Sequence, residues 1–122
     1  EDTARRLSTG RWSKKEILGH LIDSAGNNHQ RFVRLLIAPS LDFLGYRQVE
    51  WVAAQDYASE SWPDLVNLWL LFNRHLLHVI RRIPEEALER PCVIQGERAG
   101  SFADLVRGYV DHMEHHLAQI LE

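Results

Sequence analysis

The stretch SFADLVRGYVDHMEHHLAQIL, residues 101–121, carries in one run a helix start, a helical period and a histidine pair. Ser101 followed three residues later by Asp104 is a helix-opening signal. Phe102, Leu105, Val106, Tyr109, Val110, Met113, Leu117 and Ile120 then recur at the period of an amphipathic helix and predict a buried face. Three of the seven histidines stand here. His112 and His116 are four positions apart, so their side chains rise from one helix face roughly 40° apart. With Phe102 as the centre of the apolar arc and about 100° per residue, both fall on one flank of the inward face, while His115 turns towards solvent. A buried histidine is ordinarily a core residue satisfied by a hydrogen bond. Two on one inward flank read better as half of a metal site, which wants about three protein ligands and an open position.

Upstream, the same signals recur. Ser13 with Glu16 reads as a capping box, with Trp12 packing back on the first turn, and opens a helix that runs until Pro39. Val49, Val52, Ala53 and Tyr57 predict a shorter second helix. Ser61, Pro63 and Asp64 open a third, whose Leu65, Leu68, Trp69, Phe72, Leu76, Val79, Ile80 and Ile83 follow the 3.6-residue period. The segment PEEALERPCVIQGERAG, residues 84–100, holds two prolines and two glycines and reads as a loop with one helical turn. Four amphipathic helices with short or moderate connections imply an all-α four-helix bundle, and 122 residues make a single domain spanning 1–122.

Composition narrows the function classes. A 45% hydrophobic and 25% charged chain is ordinary for a soluble globular protein, and no apolar run approaches the roughly 20 residues of a membrane span. A formal charge of −3 offers no general attraction to phosphate backbones, so nucleic acid is not an expected partner. The single cysteine, Cys92, forms no intramolecular disulfide, and no signal-peptide pattern is present, which fits a cytoplasmic location.

A third ligand for His112 and His116 must come from another helix. On the first helix the candidates are His20 and His29, which lie about 180° apart on the wheel. The apolar residues place His29 nearer the buried arc. His20 lies on a polar flank with Ser24, Asn27 and Arg31, which reads either as solvated surface or as the wall of a polar cleft. His75 and His78 read as surface residues on the third helix.

Three blocks, WSKKEILGHLIDSAGNNHQRF at 12–32, NRH at 73–75 and YVDHMEHHLAQI at 109–120, resemble the DinB-like superfamily, which includes the YfiT-like metal-dependent hydrolases. The resemblance covers almost the whole chain. It implies a four-helix bundle holding a divalent metal, zinc or nickel, on three histidines, carried over here as His20, His112 and His116. It further implies activation of water, as in a hydrolase, or of a low-molecular-weight thiol such as bacillithiol or mycothiol, as in an S-transferase, against a small electrophilic substrate. A homodimer is also implied. Asp23, one turn from His20, is the candidate to orient that imidazole or act as a base. Ser24, Asn27, Asn28, Arg31, Asn73 and Tyr109 are candidates to line the cleft, with Arg31 suited to a carboxylate. The alternative expectation is a non-catalytic bundle, stress-related, tied together by its ion or by dimerisation.

Overall fold

A computed structural model describes Thr3 and residues 11–122. The chain runs α1 (Lys14–Ile37), β1 (Leu41–Phe43), α2 (Gln48–Gln55), α3 (Trp62–Arg81), β2 (Pro91–Ile94), β3 (Glu97–Ser101) and α4 (Phe102–Leu121). Short 3₁₀ turns occupy Tyr57–Ser59 and Glu85–Ala87. The expected bundle is present. Among the described residues no helix is long and apolar enough to cross a membrane.

Local chemistry sets the helix starts. Ser13 Oγ accepts from the Glu16 amide at 3.2 Å, and Glu16 Oε1 accepts from the Ser13 amide at 2.9 Å. Ser101 and Asp104 repeat this reciprocal cap at 3.2 and 3.1 Å, which sets where α4 begins. At the far end of α1 the capping is long-range. Arg90 Nη1 donates to the carbonyls of Leu35 at 2.7 Å, Leu36 at 3.2 Å and Ala38 at 3.4 Å.

α1 is the central element, packed on by α2, α3 and α4. Residues 17–25 are all buried, polar and apolar alike. A helix buried all round has no solvated side. The polar flank of α1 is therefore interior at His20, Asp23 and Ser24. Two apolar clusters flank it: one around Leu18, Leu21, Ile22, Val52, Tyr57 and Leu65, the other around Phe32, Leu35, Leu76, Phe102 and Tyr109. Not every expected inward residue is buried: Val49, Leu68 and Val110 are exposed, because α2 is only two turns long and the bundle leaves the outer flanks of α3 and α4 open.

Leu41–Phe43 and the segment read as a loop form a small sheet of order β1-β2-β3. β1 pairs parallel with β2, Leu41 opposite Cys92, and β2 pairs antiparallel with β3, Pro91 opposite Ser101. Gln95 and Gly96 make the tight hairpin turn with φ of 52° and 87°, positive at both central residues as two-residue hairpins require. The sheet closes one end of the bundle, with Phe43 and Cys92 buried against the second cluster.

Candidate metal centre

The first imidazole of the centre stands on α1. The local cap that starts α1 at Lys14 places His20 on the second turn, where it is 1% exposed. The cap that starts α4 brings His112 and His116 to the same depth of the bundle, both half-buried. The three rings form a nearly equilateral cluster. Their centroids are 4.8 Å apart for His20 and His112, 4.9 Å for His20 and His116, and 4.6 Å for His112 and His116. Each pair meets close to edge-on, at 78°, 82° and 77°. One nitrogen from each ring lies within 4.8 Å of the others.

Two contacts hold the rings in place. Trp12 packs its ring 4.9 Å from His20 and 6.4 Å from His116. On α4, His116 Nδ1 lies 2.7 Å from Gln119 Oε1. An amide oxygen only accepts, so Nδ1 carries the proton and the Nε2 lone pair is left free. Within the cluster, His20 Nε2 sits 3.0 Å from His112 Nε2. His20 Nδ1 is buried without a hydrogen-bond partner among the described residues.

Two of the three imidazoles are pushed towards the neutral form. Burial, then the neighbouring His112 and His116, push His20 down to about 4. Burial, then His116 and His115, also lower His112. Neutral imidazole is the ligating form, so a convergent set in which His20 and His112 resist protonation, with an orphaned buried nitrogen on His20, fits a divalent ion. A cleft of ≈ 670 Å³ bordered by Trp12, Glu16, Val52, His116 and Gln119 opens beside it.

The other residues singled out in the sequence fall into separate places. Asp23 makes no hydrogen bond to His20. Its Oδ1 accepts from the Tyr57 hydroxyl at 2.6 Å and from Gln55 Nε2 at 2.8 Å, while Oδ2 is buried and unpartnered among the described residues. Burial raises its pKa despite those two bonds. The Tyr57 ring lies on Gly19, where a Cβ would stand 2.1 Å from Tyr57 Cδ2, so only glycine allows the approach. Asn28 Nδ2 donates to the Ser24 carbonyl at 2.9 Å, and Asn27 Nδ2 to the Asp23 carbonyl at 2.9 Å. Tyr109 donates to Asn73 Oδ1 at 2.5 Å, tying α4 to α3, and its ring packs on Phe32. Arg31 lies further along α1 over the Phe43 ring.

His29, favoured over His20 by the apolar wheel, is half-buried against Phe72 and His75 and takes no part in the cluster. His115 and His75 are exposed. The sequence alone does not point to Trp12, Gln119 or Tyr57 as parts of the site. Gln119 was visible as the residue three positions after His116, whereas Trp12 and Tyr57 reach their places only through tertiary packing.

The sequence matches the DinB superfamily over residues 1–120. It is 27% identical, across a 122-residue alignment, to an Oceanobacillus iheyensis protein named as a candidate metal-dependent hydrolase. That alignment covers 98% of this chain and 69% of the relative. The fold superposes with a TM-score of 0.88 on YfiT from Bacillus subtilis, described as a probable metal-dependent hydrolase with an unusual four-helix bundle topology. The superposition covers 98% of this chain and 69% of YfiT at 20% identity, and it speaks for the architecture alone. With the match running from end to end, the chain belongs to the DinB superfamily.

Proposed function

We propose that this chain is a metalloenzyme in which His20, His112 and His116 hold one divalent ion, zinc or nickel, and act on a small electrophilic substrate. The observation that carries the reading is the convergence of three imidazoles from two helices onto one point, with candidate ligand atoms within 4.8 Å of one another. The names borne by the Oceanobacillus relative and by YfiT support the same class. An ion on three neutral ligands keeps its double charge, and the chemistry it supplies is Lewis acidity towards a water or a low-molecular-weight thiol.

The chain's own residues supply the rest. Trp12 and the buried turn around His20 keep bulk water from one side of the cluster, and Gln119 fixes the His116 ring for coordination. The cleft beside His116 is the route for a substrate. Asp23 is the buried carboxylate on the His20 side of α1. Its uncommitted Oδ2 and raised proton affinity suit it to take a proton, while Oδ1 holds Tyr57 and Gln55 in position.

A second reading rests on the fact that the three histidines join α1 to α4: the ion serves as a staple between helices and no reaction follows. Elemental analysis of protein loaded with zinc or nickel is expected to give about one ion per chain. His20→Ala, His112→Ala and His116→Ala should each reduce it to background. Full occupancy in these variants would sink the site assignment. Loaded protein assayed on small esters, amides and thiol-reactive electrophiles, with and without added thiols, is expected to turn over at least one class in a chelator-sensitive way. Stabilisation by metal without any turnover leaves the staple reading standing.

A further inference from the structure

Among the described residues, no carboxylate pairs with the charge on Arg31. Its guanidinium is half-buried, with Cζ 4.2 Å above the Phe43 ring, and it makes no hydrogen bond or ion pair with any described residue. Burial lowers its pKa, and Tyr46 and Cys92 offset that in part, but no carboxylate does. A guanidinium stays protonated in any case, so its five N–H groups remain donors without acceptors among the described residues. Leaving such a group half desolvated costs free energy that an arriving anion recovers.

The surroundings are arranged for an acceptor. Arg31 lines a cleft of ≈ 790 Å³ together with Gln30, Arg34, Asp42, Phe43 and Gln95. Gln95 Oε1 is taken by the Gly45 amide at 3.2 Å, and Gln30 Oε1 by Arg34 Nη2 at 3.3 Å. Both amide oxygens are therefore committed within the protein, which leaves the two NH₂ groups uncommitted at the cleft. Asp42 is the acid in the wall, yet it pairs with neither arginine. Two arginines against one aspartate leave a lining suited to a single negative charge.

We propose that this cleft is a subsite for the carboxylate of a small molecule, gripped by the Arg31 fork over Phe43 and by the side-chain amides of Gln30 and Gln95. A planar, singly charged carboxylate matches both the fork and the charge of the wall, whereas a doubly charged phosphate meets Asp42 at greater cost. Arg31 stands eleven positions after His20, about 16 Å along α1 and on nearly the same face. The subsite is separate from the histidine cluster, and it goes beyond the metalloenzyme reading without depending on it.

Butyrate and inorganic phosphate, titrated separately into ¹⁵N-labelled protein, are the probes. Butyrate is expected to shift the Arg31 side-chain signal and the Phe43 and Gln95 amides saturably, and to bind more tightly than phosphate. Arg31→Gln should weaken butyrate at least about tenfold, the loss of a charge-assisted contact. Arg31→Lys keeps the charge but loses the fork and should weaken it severalfold, and it serves if Arg31→Gln does not fold. His116→Ala should bind butyrate like the parent chain whatever becomes of its metal, so failure of the metal reading is told apart from failure here. Unchanged butyrate affinity in Arg31→Lys and Arg31→Gln, or no saturable shift at the cleft, overturns the subsite. Tighter binding of phosphate than of butyrate overturns the carboxylate assignment.

Discussion

The Nε2 atoms of His20 and His112 lie 3.0 Å apart across the seam between α1 and α4, although 92 positions separate the residues in the chain. At that distance one nitrogen donates and the other accepts, so the pair tolerates one shared proton and not two. The consequence is acid sensitivity. His20 is held near 4 by burial and by its neighbours, against 6.5 when unfolded, so the unfolded chain binds more protons between those values. Stability of the metal-free protein is therefore present above pH 6.5 and is lost as pH falls towards about 4, by on the order of 3 kcal/mol from this residue. Urea unfolding of the parent chain and of His20→Gln at pH 7 and pH 4.5 checks it. Equal acid losses in the two proteins would show that His20 is not responsible.

Gln119 hydrogen-bonds His116 and so sets which nitrogen of that ring is free. Gln119→Ala is expected to lower metal affinity by roughly ten- to a hundredfold. The folded state should be unaffected, since Gln119 is only half-buried. Competition with a chromophoric chelator measures the first, and thermal unfolding without metal the second. Unaltered metal affinity counts against the orienting role.

Gly19→Ala puts a methyl group into the Tyr57 ring, and because that ring is buried the clash cannot be relieved cheaply. A loss of about 1–3 kcal/mol is expected by chemical denaturation. The cost should shrink in a Tyr57→Leu background, because the two residues are in contact and their effects do not add. Additive effects would show that the ring moves aside freely.

Asp23 and Tyr57 form a buried pair at 2.6 Å. Tyr57→Phe leaves the carboxylate with Gln55 alone and is expected to cost about 1–3 kcal/mol. Asp23→Asn keeps an acceptor for the hydroxyl while removing a desolvated charge, so stability should hold or rise. In the Asp23→Asn background the Tyr57→Phe penalty should be smaller. Equal penalties in both backgrounds would mean that the charge on Asp23 does not strengthen this bond.

The helix starts were legible in the sequence because their causes lie within three residues: Ser13 with Glu16, Ser61 with Asp64, Ser101 with Asp104. The sheet was not legible. β1 is three residues long and pairs parallel with residues about fifty positions away, so no local period announces it. The facing of α4 is legible at His112, His115 and His116, since only one side of the helix meets the bundle. On α1 the wheel ranked His29 above His20, because an apolar arc is a guide only when the opposite face meets water. Residues 17–25 are buried all round, so polarity there marks interior hydrogen bonding rather than exposure. The resemblance to other bundles carried His20 where periodicity could not.

The two ends of α1 differ in when they can be completed. Ser13 and Glu16 close the first turn from within three residues, whereas Arg90 reaches the last carbonyls from 52 to 55 positions further on. Contacts of such long sequence separation await loop closure, and local ones do not. The helix should therefore nucleate at its N-terminal end early and fray at Leu35 and Leu36 until α2 and α3 have passed and the sheet segment arrives. Pulsed hydrogen exchange during refolding would register this as early protection near His20 and late protection at the end of the same helix, a single element with two folding times.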